Sequence, residues 1–177
     1  MTPGSTETKR LVLLSLLSAS GLVLFVFEST LPLLPWFRPG LGNIATIIAL
    51  MLFGFSDGLK VTILRIVLGA LVLGRLLTPV FILAFSGGLA SVFVMGIVRR
   101  YTARRLFGPV GISVFGAVSH NLMQLCAAYL LFVKSLEIFI LIPLFLGMAV
   151  LTGTLTGLVA AMILERITGR NQLLSVK

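Results

Sequence analysis

The sequence predicts an all-α fold, a polytopic membrane protein built as a bundle of six transmembrane helices. Composition is the first reason: 58% of the 177 residues are hydrophobic and 11% charged, with a mean hydropathy of +1.16, far from the balance of soluble globular domains. Segment length is the second. Five apolar stretches, roughly 11–27, 59–77, 78–98, 109–132 and 136–164, approach or exceed the ~20 residues that cross a hydrocarbon layer, and a shorter one covers 43–55. The third is charge placement. With six spans and the N-terminus inside, Lys9, Arg10, Lys60, Arg99, Arg100, Arg104, Arg105, Arg166, Arg170 and Lys177 fall on the cytoplasmic side, and only Arg38, Arg75 and Lys134 fall outside. This positive-inside bias accounts for the net charge of +9 without a nucleic-acid partner. Both termini are expected in the cytoplasm.

Residues 1–177 read as a single membrane domain, with a loose terminus over 1–8, the bundle over 9–167 and a cytoplasmic tail over 168–177. No loop is long enough to hide a soluble catalytic or nucleotide-binding domain. Lys9-Arg10 before the first apolar run resembles a signal peptide, but that run continues well past Ser18-Ala19-Ser20, so a retained helix is expected. Between Glu28 and Gly42 the prolines and glycines forbid a continuous helix, and Trp36 and Phe37 suit an interface; this is read as an ordered external loop. The 13 residues from Asn43 to Phe55 are too few to span without tilt or thinning, and Gly54 to Gly58 reads as a tight inner turn.

The third helix places Thr62, Arg65 and Gly69 on one stripe. Arg65 lies ~10 Å from the cytoplasmic end by helical rise, which fits either a structural anchor or a ligand role. Arg75 is expected at the outer mouth, within reach of an anionic ligand, of Glu28 or of water. In the fourth helix Ser86-Gly87-Gly88 permits close approach by a neighbouring helix or a ligand. The basic loop from Arg99 to Arg105 suits anionic headgroups. Gly153, Gly157 and Ala161 form a small-residue ridge on the sixth helix, and Pro143 is expected to kink its outer part.

Enzyme chemistry has little to work with. Five scattered acids (Glu7, Glu28, Asp57, Glu137, Glu165) cannot build the carboxylate cluster that holds magnesium in prenyl and phosphoryl transfer, and Cys126 is the one cysteine. No metal and no cofactor is expected, and no catalytic residue. Neither a filter-like channel segment nor an internal duplication is visible. What remains is a polar cluster in the fifth helix, where His120, Asn121 and Gln124 interrupt an apolar run from Pro109 to Phe132. At ~100° per residue His120 and Gln124 share a face flanked by Gly116, Ala117, Ala127 and Ala128. Polar groups at membrane depth either line a site or bind a neighbouring helix, and both readings stand at this point.

Four segments in order resemble one family: Pro39-Gly40-Leu41-Gly42-Asn43-Ile44, Arg65 with Gly69, Phe85-Ser86-Gly87-Gly88-Leu89, and His120-Asn121-x-x-Gln124. They resemble the small bacterial membrane proteins named Gx transporter, or heptaprenyl diphosphate synthase component I, over roughly residues 10 to 167. That family is similar in size and helix count to the substrate-binding S components of energy-coupling factor (ECF) transporters. The resemblance implies a subunit of the bacterial cytoplasmic membrane that binds a small vitamin-like molecule from outside. A coupling subunit and two ATPases would supply the work. Docking would use small residues on the first helix, which Ser15 and Ala19 match only loosely.

Direct, noncovalent binding is expected from His120, Asn121 and Gln124 as the floor, Asn43, Arg75 and Ser86 as further contacts, and the loop from Glu28 to Gly42 as lid; Arg75 or Arg38 would be the counter-ion of an anionic ligand. Apolar walls favour a small amphiphilic or aromatic compound. The alternative is a non-catalytic membrane partner of isoprenoid or quinone biosynthesis, which holds a prenyl compound or scaffolds a soluble synthase. Membrane lipid is a partner in either case.

Overall fold

Every regular element among the described residues is helical. The computed structural model describes residues 3–30, 40–101 and 108–175. Helix α1 covers Pro3–Thr30, α2 Asn43–Phe53, α3 Phe55–Val72, α4 Pro79–Tyr101, α5 Pro109–Ala128 and α6 Ile142–Ser175. Four are long and apolar enough to cross a membrane: α1, α4, α5 with its continuation to Val133, and α6 with the turn before it. The expected six spans are therefore met only as six helices of which four have that character.

The two exceptions differ. Helix α2 has 11 residues, a length of ~16 Å against a hydrocarbon core of ~30 Å. It is nevertheless the centre of the molecule, since every residue from Ile44 to Leu50 is buried. Packed among α1, α3 and α6, it does not have to meet lipid at both ends. Helix α3 has 18 residues but carries Asp57, Lys60 and Arg65. Gly54 alone separates α2 from α3, at a φ of +103° that L side chains rarely adopt, so the expected five-residue turn is narrower. The two helices run antiparallel. Thr62 donates to the Gly58 carbonyl at 2.9 Å, which leaves Thr46 as donor in the buried 3.0 Å contact between the two hydroxyls.

Other boundaries shift for local reasons. Residues 3–8, expected to be loose, begin α1, and the expected tail continues α6 to Ser175. Helix α3 ends at Val72, where Gly74 (φ +64°) and Leu77 (φ +61°) reverse the chain. After α5 a wide π turn, Tyr129–Val133, ends at left-handed Lys134, and a 3-10 turn, Leu136–Leu141, leads into α6. Pro143 is the second residue of α6, where its missing N–H has no intrahelical acceptor to lose; it starts the helix rather than kinking it.

One end of the bundle gathers cations. The Arg10 guanidinium donates to Asp57 Oδ2, at 2.9 Å from Nε, and Lys60 Nζ donates to Oδ1 at 3.1 Å. Arg99 donates to the Leu50 and Met51 carbonyls in the last turn of α2, where the Leu50 carbonyl also accepts the Gly54 N–H at 3.1 Å. With Arg100 these side chains mark the basic end.

A candidate ligand-binding cavity

Small residues set how closely α4, α5 and α6 approach. A Cβ on Gly157 would lie 2.6 Å from Val110 Cα, and one on Gly153 would lie 2.8 Å from Val114 Cα, so the α6 ridge meets the α5 backbone directly. Ser113 and Thr156 share a buried hydrogen bond of 2.9 Å beside it. The paired glycines of α4 form a notch between two helices: Gly87 faces His120 and Gln124 of α5, while Gly88 faces Ile66 of α3. Near the other end of the α5–α6 pair, Asn121 Nδ2 donates to the Phe145 carbonyl at 3.0 Å.

Toward the end opposite the basic one, these helices together with α1, α2 and α3 line a cavity of about 70 Å³. Its polar walls are Glu28, Asn43, Arg65, His120, Asn121 and Gln124, with Thr152 and Thr156 contributed by α6. Phe25, Ile66, Phe145 and Met148 supply apolar walls. By the same measure one water takes ~10–15 Å³, so the space suits a compact guest or a few waters and is far too small for a polyprenyl chain.

Arg65 is the centre of this arrangement. It is 5% exposed, and its chain passes glycines: Cδ lies 3.6 Å from where a Gly21 Cβ would sit, and a Cβ on Gly42 would be 2.6 Å from Nη1. Nη2 donates to Asn43 Oδ1 at 3.3 Å, and Nε has no hydrogen-bond partner although it is buried. A buried donor left unmade costs about 1–3 kcal/mol, which an acceptor in the cavity would offset. Glu28, 6% exposed, accepts the Gly40 N–H at 2.6 Å through Oε1, so it joins the C-terminal turn of α1 to the entry of α2. Arg65 and Glu28 give the cavity opposite formal charges that cancel. Such a lining matches a net-neutral or zwitterionic guest better than a multiply charged one.

The structure brings Asn43, His120, Asn121 and Gln124 together as the sequence predicts, and it adds Arg65. Asn121 also serves the interhelical role through Phe145. Arg75 is not part of the lining: it is exposed in the turn after α3, beside a separate small void. Ser86 is also outside the lining, and its hydroxyl donates to the Leu83 carbonyl of its own helix at 3.2 Å. Arg38 and the greater part of the expected lid lie outside the described residues; the flanks Glu28 and Gly40 line the cavity. Ser15 and Ala19 are exposed on α1. Glu28 was expected only as the start of the lid, and the two threonines were not expected in the site. The i, i+4 spacing of Thr152 and Thr156, one residue before Gly153 and Gly157, is the signal that could have found the latter pair.

The model of one protein family, described as heptaprenyl diphosphate synthase component I, matches residues 17–163. No curated protein and no solved structure matches the chain. The match runs from α1 into α6 and takes in every helix that lines the cavity, so the chain belongs to the heptaprenyl diphosphate synthase component I family.

Proposed function

We propose that this chain is a non-catalytic membrane component of prenyl diphosphate metabolism, which binds a compact polar ligand in the Arg65 cavity and works beside a soluble synthase. The observation that carries the binding role is the buried Arg65 Nε, without a partner and beside a void. Family membership supplies the metabolic setting. Its acids argue against a catalytic role, because Glu28 serves the cavity and Asp57 the clamp at the basic end. Positive-inside charge bias supports a cytoplasmic location for that end, the side on which a soluble synthase would meet the membrane.

A second reading, an S-component-like subunit of an ECF importer, has one feature in its favour. The cavity lies away from the basic end, as capture of a vitamin-like molecule from outside would require. Native mass spectrometry of the gently purified protein tests the shared claim. A retained small molecule is expected in the wild type and lost in His120→Ala and Gln124→Ala variants that still insert; equal retention in all three would defeat it. Copurification decides the company: a prenyl synthase supports the first reading, a coupling subunit with ATPases the second.

A further inference from the structure

The shortness of α2 has a consequence at the basic end. Because α2 stops at Phe53 and the chain resumes as α3 after Gly54 alone, the flank of α4 is left partly uncovered there. Phe55, the first residue of α3, lies over Gly96 of α4, where a Cβ would come 2.5 Å from its ring. Phe55 also packs on Phe93, with ring centroids 5.2 Å apart at 56°. The result is an open groove of about 540 Å³ with walls from Leu50, Phe55, Phe93 and Ile97. Phe93 and Ile97 are about half exposed, so the walls continue into the apolar flank of the bundle.

Arg99 and Arg100 complete the lining of this groove. The carbonyls of Leu50 and Met51 hold Arg99 at the rim. Arg100 is exposed. The buried acid of this end, Asp57, is engaged by Arg10 and Lys60 and does not line the groove. Exposed Glu7 and Glu165 do not line it either. An apolar furrow on a membrane-facing flank, ending in two arginines at a helix terminus, is complementary to a molecule with acyl chains below a phosphate.

We propose that this groove is a binding site for an acidic phospholipid of the leaflet at the basic end, its tails along Phe55, Phe93 and Ile97 and its phosphate against Arg99 and Arg100. The site is independent of the Arg65 cavity. Arg99 also organises the end of α2, so the test uses Arg100. The protein is placed in nanodiscs of equal phosphatidylglycerol and phosphatidylcholine, and the lipids that remain bound are read by native mass spectrometry. Wild type is expected to retain phosphatidylglycerol preferentially, Arg100→Gln to lose about fivefold of that preference, and Arg166→Gln, which removes an exposed α6 cation outside the groove, to keep it. Equal retention of both lipids in the wild type would mark ordinary boundary lipid and overturn the proposal. An equal loss in Arg166→Gln would assign the preference to net charge and overturn it as well. Release of the lipid by inorganic pyrophosphate, but not by sulfate at equal ionic strength, would point to a soluble phosphate compound as the occupant and would also count against it.

Discussion

Arg65 and Asn43, 22 positions apart in the chain, meet in a 3.3 Å hydrogen bond at the cavity wall. Asn43 is the first residue of α2, so this bond places the entry of the central helix and the guanidinium together. Asn43→Ala leaves a second donor of Arg65 without an acceptor and is expected to destabilise the protein by about 1–3 kcal/mol. Asn43→Asp keeps an acceptor there and should recover most of the loss. Thermal unfolding in nanodiscs separates the two; equal midpoints for both variants would show that the bond contributes nothing.

The contact between α5 and α6 gives the clearest steric prediction. Gly157→Val puts a branched side chain against Val110 Cα, a backbone atom that cannot swing aside. Overpacking of this kind costs about 1–3 kcal/mol, and here it also pushes Ser113 away from Thr156. Gly147, also in α6, has open space where its Cβ would lie, so Gly147→Ala should be neutral or gain up to ~1 kcal/mol of helix propensity. A Gly157→Val protein as stable as the Gly147→Ala variant would contradict this packing.

The parts of the site that were legible in the sequence are those whose chemistry is improbable in lipid. His120, Asn121, Gln124 and Arg65 stand out in apolar runs whatever their neighbours. Whether Arg75 reaches the cavity or only water was not legible, because that depends on where the third helix ends. Helix α3 stops at Val72, five residues before the apolar run does, and the turn carries Arg75 out to an exposed position. Ser86 misleads for a different reason: a helical serine can satisfy itself on its own backbone. Glu28 enters the site through a contact with Gly40 that depends on how the chain returns to α2, and no local pattern encodes that return. The six-helix count was readable from apolar runs, but α2 shows that a buried helix is free of the length rule that governs a lipid-facing one.

Asp57 at the basic end should make stability depend on pH. Burial pushes its carboxyl up, but the hydrogen bonds from Arg10 and Lys60, with their charges, outweigh that and hold it below the ordinary carboxylate value. A depressed carboxylate stabilises the fold above the ordinary range, and the stabilisation disappears as pH falls through the lowered value, below about 4. Arg10 and Lys60 are more than half exposed, so solvent screens the pair and Asp57→Asn is expected to cost only about 1 kcal/mol at pH 7. Thermal midpoints measured from pH 7 down to pH 3 should converge for wild type and Asp57→Asn; a constant gap across that range would exclude the clamp as its source.

Gly87 should control the cavity without touching its charges. A Cβ there would sit 2.9 Å from Gln124 Cγ, 3.0 Å from His120 Cε1 and 3.0 Å from the His120 carbonyl oxygen. The first two neighbours are side-chain atoms and can rotate away, which would carry the imidazole and the amide out of their positions on the cavity wall; the third is backbone and must shift by a few tenths of an ångström. Gly87→Ala is therefore expected to cost about 1–3 kcal/mol of stability and to abolish retention of a small molecule in native mass spectra. Gly88→Ala, which presses on Ile66 in α3 instead, should have a comparable effect on stability but leave His120 and Gln124 in place. Because the two glycines are adjacent in one helix, a difference between them in retention at similar stability reads out the α5 face of the cavity. Equal retention in both variants would mean that the positions of His120 and Gln124 do not matter for binding.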